Sequence, residues 1–505
     1  MHKFEVEYKK LNAGQKQAVD TIDGPVLVIA GPGTGKTQLL SLRVANILRT
    51  TDTNPNNILC LTYTESGQSA MLQRLTSLLG KEAKRLEIHT FHGFGTHLIN
   101  RFNEYFTDLT NFRPADDLAL YETLLSCFEQ LSRNNPLSKM AYGQFIYQAD
   151  VAGRISQLKQ AGITPSEALN RAETDINWSK TTGRKIAAAF NKVGRLSLKV
   201  LPQLAISLEP ILNEELTGLA EICLSELRVA LEDASGSNKT LPLSQFKKKW
   251  LSSEEGNLYF KPYDQLKKLV ALSELYDLYE KELRKRKLYD YDDMILYALE
   301  KLENNKEFLS LVQETYQFIL ADEYQDTNAA QARIITLIAA NPVNEDRPNV
   351  MVVGDDDQAI YGFQGAMGNA LLHFRERWRD VTTITLKDNY RSTQHIIDTA
   401  RSLIMRGQNR LEDYYEDIEK SLRANANHPS VEPVVFEAAS PQAVLEKAVS
   451  SSRSVDSTNQ LAIIATKHKY LRELADSLDK AKINYYYEGR EDLLNDPSVS
   501  KTLLL

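Results

Sequence analysis

The sequence predicts an α/β protein: parallel sheets of short buried strands, broken by a large α-helical insertion. Three observations carry that expectation. Short apolar runs ended by polar or glycine-rich turns alternate with helical segments over residues 1–104, and strand signals return beyond residue 285. A glycine-rich turn joins the first run to a helix, as in a βα unit. Residues from about 105 to 285 carry helical periodicity almost throughout and few strand signals.

Val26–Ala30 reads as a buried strand, followed by the glycine-rich turn and a helix through Leu48. Ile58–Thr62 reads as a second strand, with a helix at about Glu65–Leu79 behind it. The insertion follows, with polar breaks near Asn134–Pro136 and Ala234–Asn238. Strands are expected again at Phe318–Ala321, Val350–Val353 and Thr382–Leu386. From about residue 386 another α/β stretch begins, with strand candidates Val434–Glu437 and Leu461–Ala465.

Composition narrows the functional classes. A chain of 505 residues is too long for one core and predicts three or four domains or subdomains. With 42% hydrophobic and 25% charged residues, it is neither disordered nor fibrous. The net charge of −7 leaves no global basic field, so any nucleic-acid contact has to be local and groove-like. The three cysteines, Cys60, Cys127 and Cys223, form no C-x-x-C pair, which argues against a disulfide scaffold or a zinc ribbon. Met1–Lys10 is charged, and runs such as Val26–Ala30 are far shorter than the roughly 20 residues that cross a bilayer. The expectation is a cytoplasmic protein without membrane contact. Two basic clusters in the insertion, Lys247–Lys249 and Arg284–Lys287, read first as solvated helix faces, with phosphate contact on DNA as the alternative.

Ala30-Gly-Pro-Gly-Thr-Gly-Lys-Thr37 follows a strand and opens a helix, the context that gives a Walker A pattern its meaning. Gly31, Gly33 and Gly35 let the backbone curl so that successive N–H groups face an anion, and the helix N-terminus adds its dipole. Ala30, Pro32 and Thr34 complete the loop; Lys36 reaches the β- and γ-phosphates, and the Thr37 hydroxyl ligates Mg²⁺. Asp322 and Glu323 stand just past the Phe318–Ala321 strand. There Asp322 can hold the Mg²⁺ shell and Glu323 can activate water against the γ-phosphate. Gln358 in the loop after Val350–Val353 is placed to sense the γ-phosphate. Tyr361 and Phe363 in the same loop suit stacking on bases, with anchoring of the loop as the alternative. Tyr390 offers a face for adenine and Arg391 a charge for the transition state.

Taken in order, these segments resemble the UvrD/Rep/PcrA family of superfamily 1 DNA helicases. Leu11-Asn-Ala-Gly-Gln-Lys-Gln-Ala-Val19 resembles the family's Q motif, which implies that Gln15 bonds the adenine edge. The phosphate loop is similar to motif I, whose family form also begins with Ala. Leu61-Thr-Tyr-Thr64 resembles motif Ia and His89-Thr-Phe-His92 motif Ib, implying that Thr62, Tyr63, Thr64, Thr90 and His92 line a single-stranded DNA path. Asp322–Asn328 resembles motif II, Gly354–Ala366 motif III and Asn389–Thr393 motif IV.

The resemblance implies ATP and Mg²⁺ as cofactors, single-stranded DNA and DNA junctions as partners, and accessory repair proteins as further candidate partners. It also implies 3′ to 5′ movement, in DNA repair or recombination. It further implies a RecA-like P-loop NTPase subdomain at 1–104 and 286–385, a helical insertion subdomain at 105–285, and a second RecA-like subdomain starting at 386. Three departures stand out. Ser66 replaces a basic residue of motif Ia, Gln364 replaces an arginine of motif III, and the insertion is longer than in well-known members. No candidate for motifs V and VI precedes Leu505, and Ser500–Leu505 is an apolar run without a helix stop signal. The expectation is therefore a fragment whose second RecA-like subdomain, 386–505, is incomplete and whose ATP hydrolysis is weak. Two alternatives accompany the helicase reading: a RecB/AddA-type helicase-nuclease subunit, and a non-hydrolysing, ATP-gated single-strand-binding protein.

Overall fold

The structure is a computed structural model and describes residues 2–212, 218–237, 239–254, 256–362, 365–408, 410–426, 428–456 and 459–487. Its centre is a six-stranded parallel sheet. The strands are β1 (Val26–Ala30), β2 (Ile58–Thr62), β3 (Glu87–Thr90), β4 (Phe318–Ala321), β5 (Val350–Gly354) and β6 (Thr382–Leu386), in the order β6-β1-β5-β4-β2-β3. Register follows the apolar runs: Val28 of β1 lies beside Val353 and Ile384, and Leu320 of β4 beside Cys60 and Met351. Every residue of β1, β2, β4 and β5 is buried. Helices cover both faces, so these strands read as continuous apolar runs and not as alternation. The edge strand β3, Glu-Ile-His-Thr, has one apolar side chain and gave no sequence signal.

Alternate residues serve the two faces. Leu27, Ile29, Leu59, Leu61, Ile319 and Val352 pack under the helices Phe91–Arg101, Asp293–Asn304 and Ala329–Ala339. Val26, Val28, Ile58, Cys60, Leu320 and Val353 pack under Ala13–Asp20, Lys36–Thr50 and Glu65–Leu79. Each such side chain contributes roughly 1.5–3 kcal/mol on burial. Arg43 is buried on the second face, and its guanidinium donates to the carbonyls of Ala18, Thr21 and Ile22. A buried cation is tolerated there because backbone oxygens satisfy it.

The insertion holds two cores. One joins Leu124, Phe128, Val151, Ile155, Leu275 and Tyr276; the other joins Ile186, Phe190, Leu204, Leu227, Phe246 and Trp250. The break expected at Ala234–Asn238 gives way to a helix, Leu219–Ser237, because Ala234 is part of the second core. At the stem, Arg113–Pro114 pairs with Leu288–Tyr289, and the fully buried Lys159 ammonium meets Glu280 (2.6 Å), Asp290 (2.6 Å) and Asp293 (2.5 Å). Burial pushes the Glu280 and Asp293 carboxyls up, and Lys159 draws them back.

The chain divides into two compact units, Met1–Ser430 and Val431–Leu505. The first unit thus includes residues 386–430 as well as the sheet. Arg410 and Lys420 explain this, since both are ion-paired to the loop after β5. The second unit shows helices Pro441–Arg453 and His468–Lys480. Val434–Glu437 and Leu461–Ala465 are not strands: Val434, Val435 and Ile464 are 88%, 87% and 92% exposed. A strand needs a ladder partner, and none lies beside these runs among the described residues. Among the described residues no helix is long and apolar enough to cross a membrane.

Candidate nucleotide site and nucleic-acid interface

All six strands run parallel, so their carboxyl ends share one edge, and the loops leaving that edge carry the residues chosen from the sequence. Ala30 ends β1, fully buried. Gly33 (φ +71°) and Gly35 (φ +85°) adopt left-handed backbone, and a Cβ on Gly33 would stand 2.7 Å from the Cβ of Arg391. Glycine is required at that approach. The Lys36–Thr50 helix begins without a side-chain cap, leaving its first N–H groups to face the loop. Thr34 is buried and its hydroxyl donates to Gly31 O at 2.8 Å. Gln15, held in a capping box with Asn12, donates its amide to Thr34 O at 2.9 Å.

The loop is also held from residues 389–391. Asn389 Nδ2 donates to Pro32 O at 2.6 Å, and Tyr390 N donates to Gly33 O at 2.9 Å. The Asn389 Oδ1 accepts from the N–H groups of Arg391 (2.8 Å) and Ser392 (2.7 Å). Asn389 was absent from the residues singled out by sequence; an Asn opening a turn was its available signal. Tyr390 is 43% exposed, and its hydroxyl accepts from Asn12 Nδ2 at 3.1 Å. Arg391 is exposed. A cavity of about 360 Å³ abuts Gly31 and Pro32, walled by Gln358, Asn389, Ile397 and Leu422.

Across the edge, Glu323 Oε2 lies 2.8 Å from Lys36 Nζ and accepts from Gln325 Nε2 at 2.9 Å. Gln325 Oε1 accepts from Asp355 N at 3.1 Å, and Asp355 Oδ2 accepts from Gln358 Nε2 at 2.8 Å. Gln358 Oε1 returns to within 3.5 Å of Lys36 Nζ. Lys36, Glu323 and Gln358 are therefore brought together. Asp322 is 7% exposed; burial pushes its carboxyl up to about 6, Glu323 adds to this, and Lys36 opposes it. Its oxygen atoms are donors suited to a hard divalent cation, which would relieve the cost of the buried charge. The other acidic group nearby, Asp355–Asp357, is already satisfied: Lys420 Nζ lies 2.8, 2.7 and 2.7 Å from the three carboxylates. Arg410 donates twice to Asp357, at 2.7 Å each.

An aromatic group continues the same edge. The Tyr63 and Tyr361 rings lie 4.8 Å apart, and the His92 ring stacks on Tyr291 at 3.7 Å and 25°. Tyr291, 70% exposed, was missed by sequence reasoning, since its partner is 199 positions away. Burial pushes the His92 imidazole down to about 4, so it is neutral at pH 7, and pushes the Tyr63 hydroxyl up to about 12. The threonines are used locally. Thr64 and Thr90 cap the helices behind them, and Thr62, 2% exposed, donates to Thr64 O. Phe363 and Gln364 lie outside the described residues.

Family comparison agrees with this geometry. Residues 11–379 match the UvrD/REP helicase N-terminal domain, and residues 384–505 match the UvrD-like helicase C-terminal domain. The second match does not support the expected incompleteness of the second subdomain. The chain is 25% identical over 501 residues to the ATP-dependent DNA helicase PcrA of Staphylococcus epidermidis, covering 98% of this chain and 53% of that protein. It is 26% identical over 403 residues to PcrA of Staphylococcus aureus, covering 79% of this chain and 40% of that protein. The chain thus spans about half the length of the curated relatives it matches. With a phosphate loop, an acidic strand end and an aromatic edge on one parallel sheet, and with the N-terminal domain matched over residues 11–379, the chain belongs to the UvrD/REP helicase family.

Proposed function

We propose that the chain is an ATP-driven DNA translocase and helicase that moves 3′ to 5′ along single-stranded DNA and acts at DNA junctions. One observation carries this reading. The turn at 322–327 touches both sites: Glu323 meets Lys36 of the phosphate loop, while Thr327 O accepts from Met367 N at 2.9 Å, at the far end of the loop that carries Tyr361. A change at the phosphate loop is therefore felt at the aromatic edge.

In this reading the N–H groups of Gly31–Lys36 and the Lys36 ammonium hold the phosphates, with Gln15 at the adenine edge and Tyr390 stacking on the base. Thr37 and Asp322 hold Mg²⁺, which when bound neutralises phosphate charge. Glu323 is masked by Lys36. When Lys36 turns to phosphate, Glu323 is freed to take a proton from water, and Gln358, which shares contact with Lys36, registers the γ-phosphate. Arg391 meets the charge developed in transfer. Tyr63, Tyr361 and Phe363 stack on bases, with His92 behind and Thr62, Thr64 and Thr90 shaping the path. Residues 1–104 with 286–385 form one RecA-like subdomain, 105–285 the insertion, and 386–505 the second RecA-like subdomain.

Lys36→Ala should lower single-strand-stimulated ATP hydrolysis by at least about a hundredfold, the scale expected for a lost phosphate-binding charge. Retained turnover in a steady-state assay would sink the assignment. ATP-sensitive strand affinity without turnover in the wild type would favour a nucleotide-gated binding protein instead.

A further inference from the structure

Three groups of His or acidic side chains gather their donor atoms within 4.8 Å of one another among the described residues. Two are wholly acidic, and each already holds a cation. Lys159 sits among Glu280, Asp290 and Asp293, and Lys420 among Asp355, Asp356 and Asp357. The third differs in kind. It joins Glu87 and His89 of β3 to His97 of the Phe91–Arg101 helix.

The fold makes this grouping. Side chains alternate along a strand, so Glu87 and His89 share one face of β3 while Ile88 is buried on the other. The Phe91–Arg101 helix covers the face of Glu87 and His89, and helical spacing sets His97 and Arg101, four positions apart, over them. Buried Phe94 packs against both imidazoles, with ring centroids at 6.0 and 6.5 Å, and the two imidazoles lie 4.6 Å apart. The three side chains are half-buried, within reach of an ion from solvent.

Hydrogen bonding accounts for only part of the group. His89 Nε2 lies 2.8 Å from Glu87 Oε2, and Arg101 Nη1 lies 3.3 Å from Glu87 Oε1. His97 Nε2 lies 3.6 Å from the same Oε2, beyond hydrogen-bond reach, and is buried with no hydrogen-bond partner among the described residues. A buried ring nitrogen in that state calls for a partner. Arg101 occupies Oε1 and leaves Oε2 facing both rings.

We propose that Glu87 Oε2, His89 Nε2 and His97 Nε2 form a site for a zinc-class transition-metal ion, which ties β3 to the Phe91–Arg101 helix. Two imidazoles disfavour Mg²⁺ and Ca²⁺, which take oxygen shells, and favour Zn²⁺ and its neighbours. Bonds of about 2.0–2.1 Å set tetrahedral donors about 3.3 Å apart, so the 2.8 and 3.6 Å separations bracket the value an ion requires. Three protein donors leave the fourth position to water. Thr90 caps the helix and His92 stands in its first turn, so an ion here stiffens the start of the aromatic edge. The site is separate from the Asp322 carboxylate and stands whether or not the chain is a motor.

The test is titration of the whole chain with Zn²⁺ by calorimetry and with Co²⁺ by visible absorption, in excess Mg²⁺ so that oxygen-only sites are filled. The wild type should bind one Zn²⁺ with a Kd of about 1 µM or tighter, and Co²⁺ should give the d–d bands of a four-coordinate site. His97→Gln and, separately, Glu87→Gln should each weaken binding at least about a hundredfold, more than the loss of a merely supporting partner. His373→Gln and His395→Gln, at exposed positions of other helices, should leave it unchanged. Zn²⁺ should also slow amide exchange over residues 87–101 in the wild type. That measurement needs no substitution, so it locates the ion even where a variant misfolds. Zn²⁺ binding only at millimolar concentration, equal competition by Mg²⁺, affinity unchanged in both ligand variants, or protection gained elsewhere than 87–101 would each overturn the proposal.

Discussion

Glu323 holds left-handed backbone (φ +49°), a region that residues other than Gly, Asn and Asp rarely enter. Such strain is worth of order 1–3 kcal/mol and persists only where neighbours fix it. Lys36 and Gln325 grip the carboxylate, and Asp326 and Thr327 close the turn through their N–H groups. The strain thus aims the acid at the phosphate loop. His92 shows a second kind of residue-scale cost. Burial lowers its imidazole to about 4, whereas in the unfolded chain it titrates near about 6.5. The unfolded chain therefore takes up the proton first as pH falls. The stabilisation is full above about 6.5 and is lost on the way down to about 4, which amounts to about 2 kcal/mol between pH 7 and 5. Burial shifts His97 in the same direction. The raised carboxyls of Asp322 and Asp326 act in the opposite direction over the same window, so the loss is read by comparison. His92→Gln should lose less stability, or gain more, than the wild type in thermal melts between pH 7 and pH 5, and an unchanged pH difference in the variant would contradict the assignment.

At the element scale, the segment 410–424 is bound to the loop after β5 by charge. Lys420 is 8% exposed and meets three carboxylates, while burial of Asp357 is outweighed by the hydrogen bonds from Arg410 and Lys420, which hold its carboxyl below the usual range. Removing one partner of a buried ion cluster costs about 3–5 kcal/mol, since the others stay buried and unpaired. Lys420→Gln should therefore release residues 410–424 to fast amide exchange and, by freeing Asp355 from its place beside Gln358, raise the KM for ATP. Lys420→Arg should restore most of both. Protection unchanged in Lys420→Gln would show that the apolar contacts of Leu411 and Ile418 suffice. None of this is legible in sequence, because Lys420 and Asp355–Asp357 lie 63 to 65 positions apart with no periodicity linking them. The phosphate loop is legible because its function is a local backbone property: three glycines between a strand and a helix. β1, β2, β4 and β5 are legible because burial on both faces writes an unbroken apolar run. β3 is not, because an edge strand can be polar. Val434–Glu437 and Leu461–Ala465 mislead for the converse reason, having the residues of a strand without a partner.

At the scale of the whole molecule, the net charge of −7 and the length of 505 residues acquire a spatial meaning. Acidic groups cluster at the sheet edge, around Lys420, and at the insertion stem, around Lys159, while the outer half of the insertion carries six basic and no acidic side chains over residues 176–208. That outer half has its own core, drawn from residues 178–260 and without a member in the sheet cores. Its two ends are neighbours, because the Trp178 and Phe260 rings meet at 5.3 Å. A short Gly-Ser linker should therefore replace residues 179–260, with Trp178→Ser to avoid leaving an orphaned ring on the surface. Since distant, unlinked sites act independently, basal ATP turnover and oligo-dT affinity should survive the excision. Loss of ATP turnover in the excised chain, with the sheet still folded by circular dichroism, would mean that the outer half of the insertion supports the phosphate loop, and the independence of the separate cores would have to be abandoned.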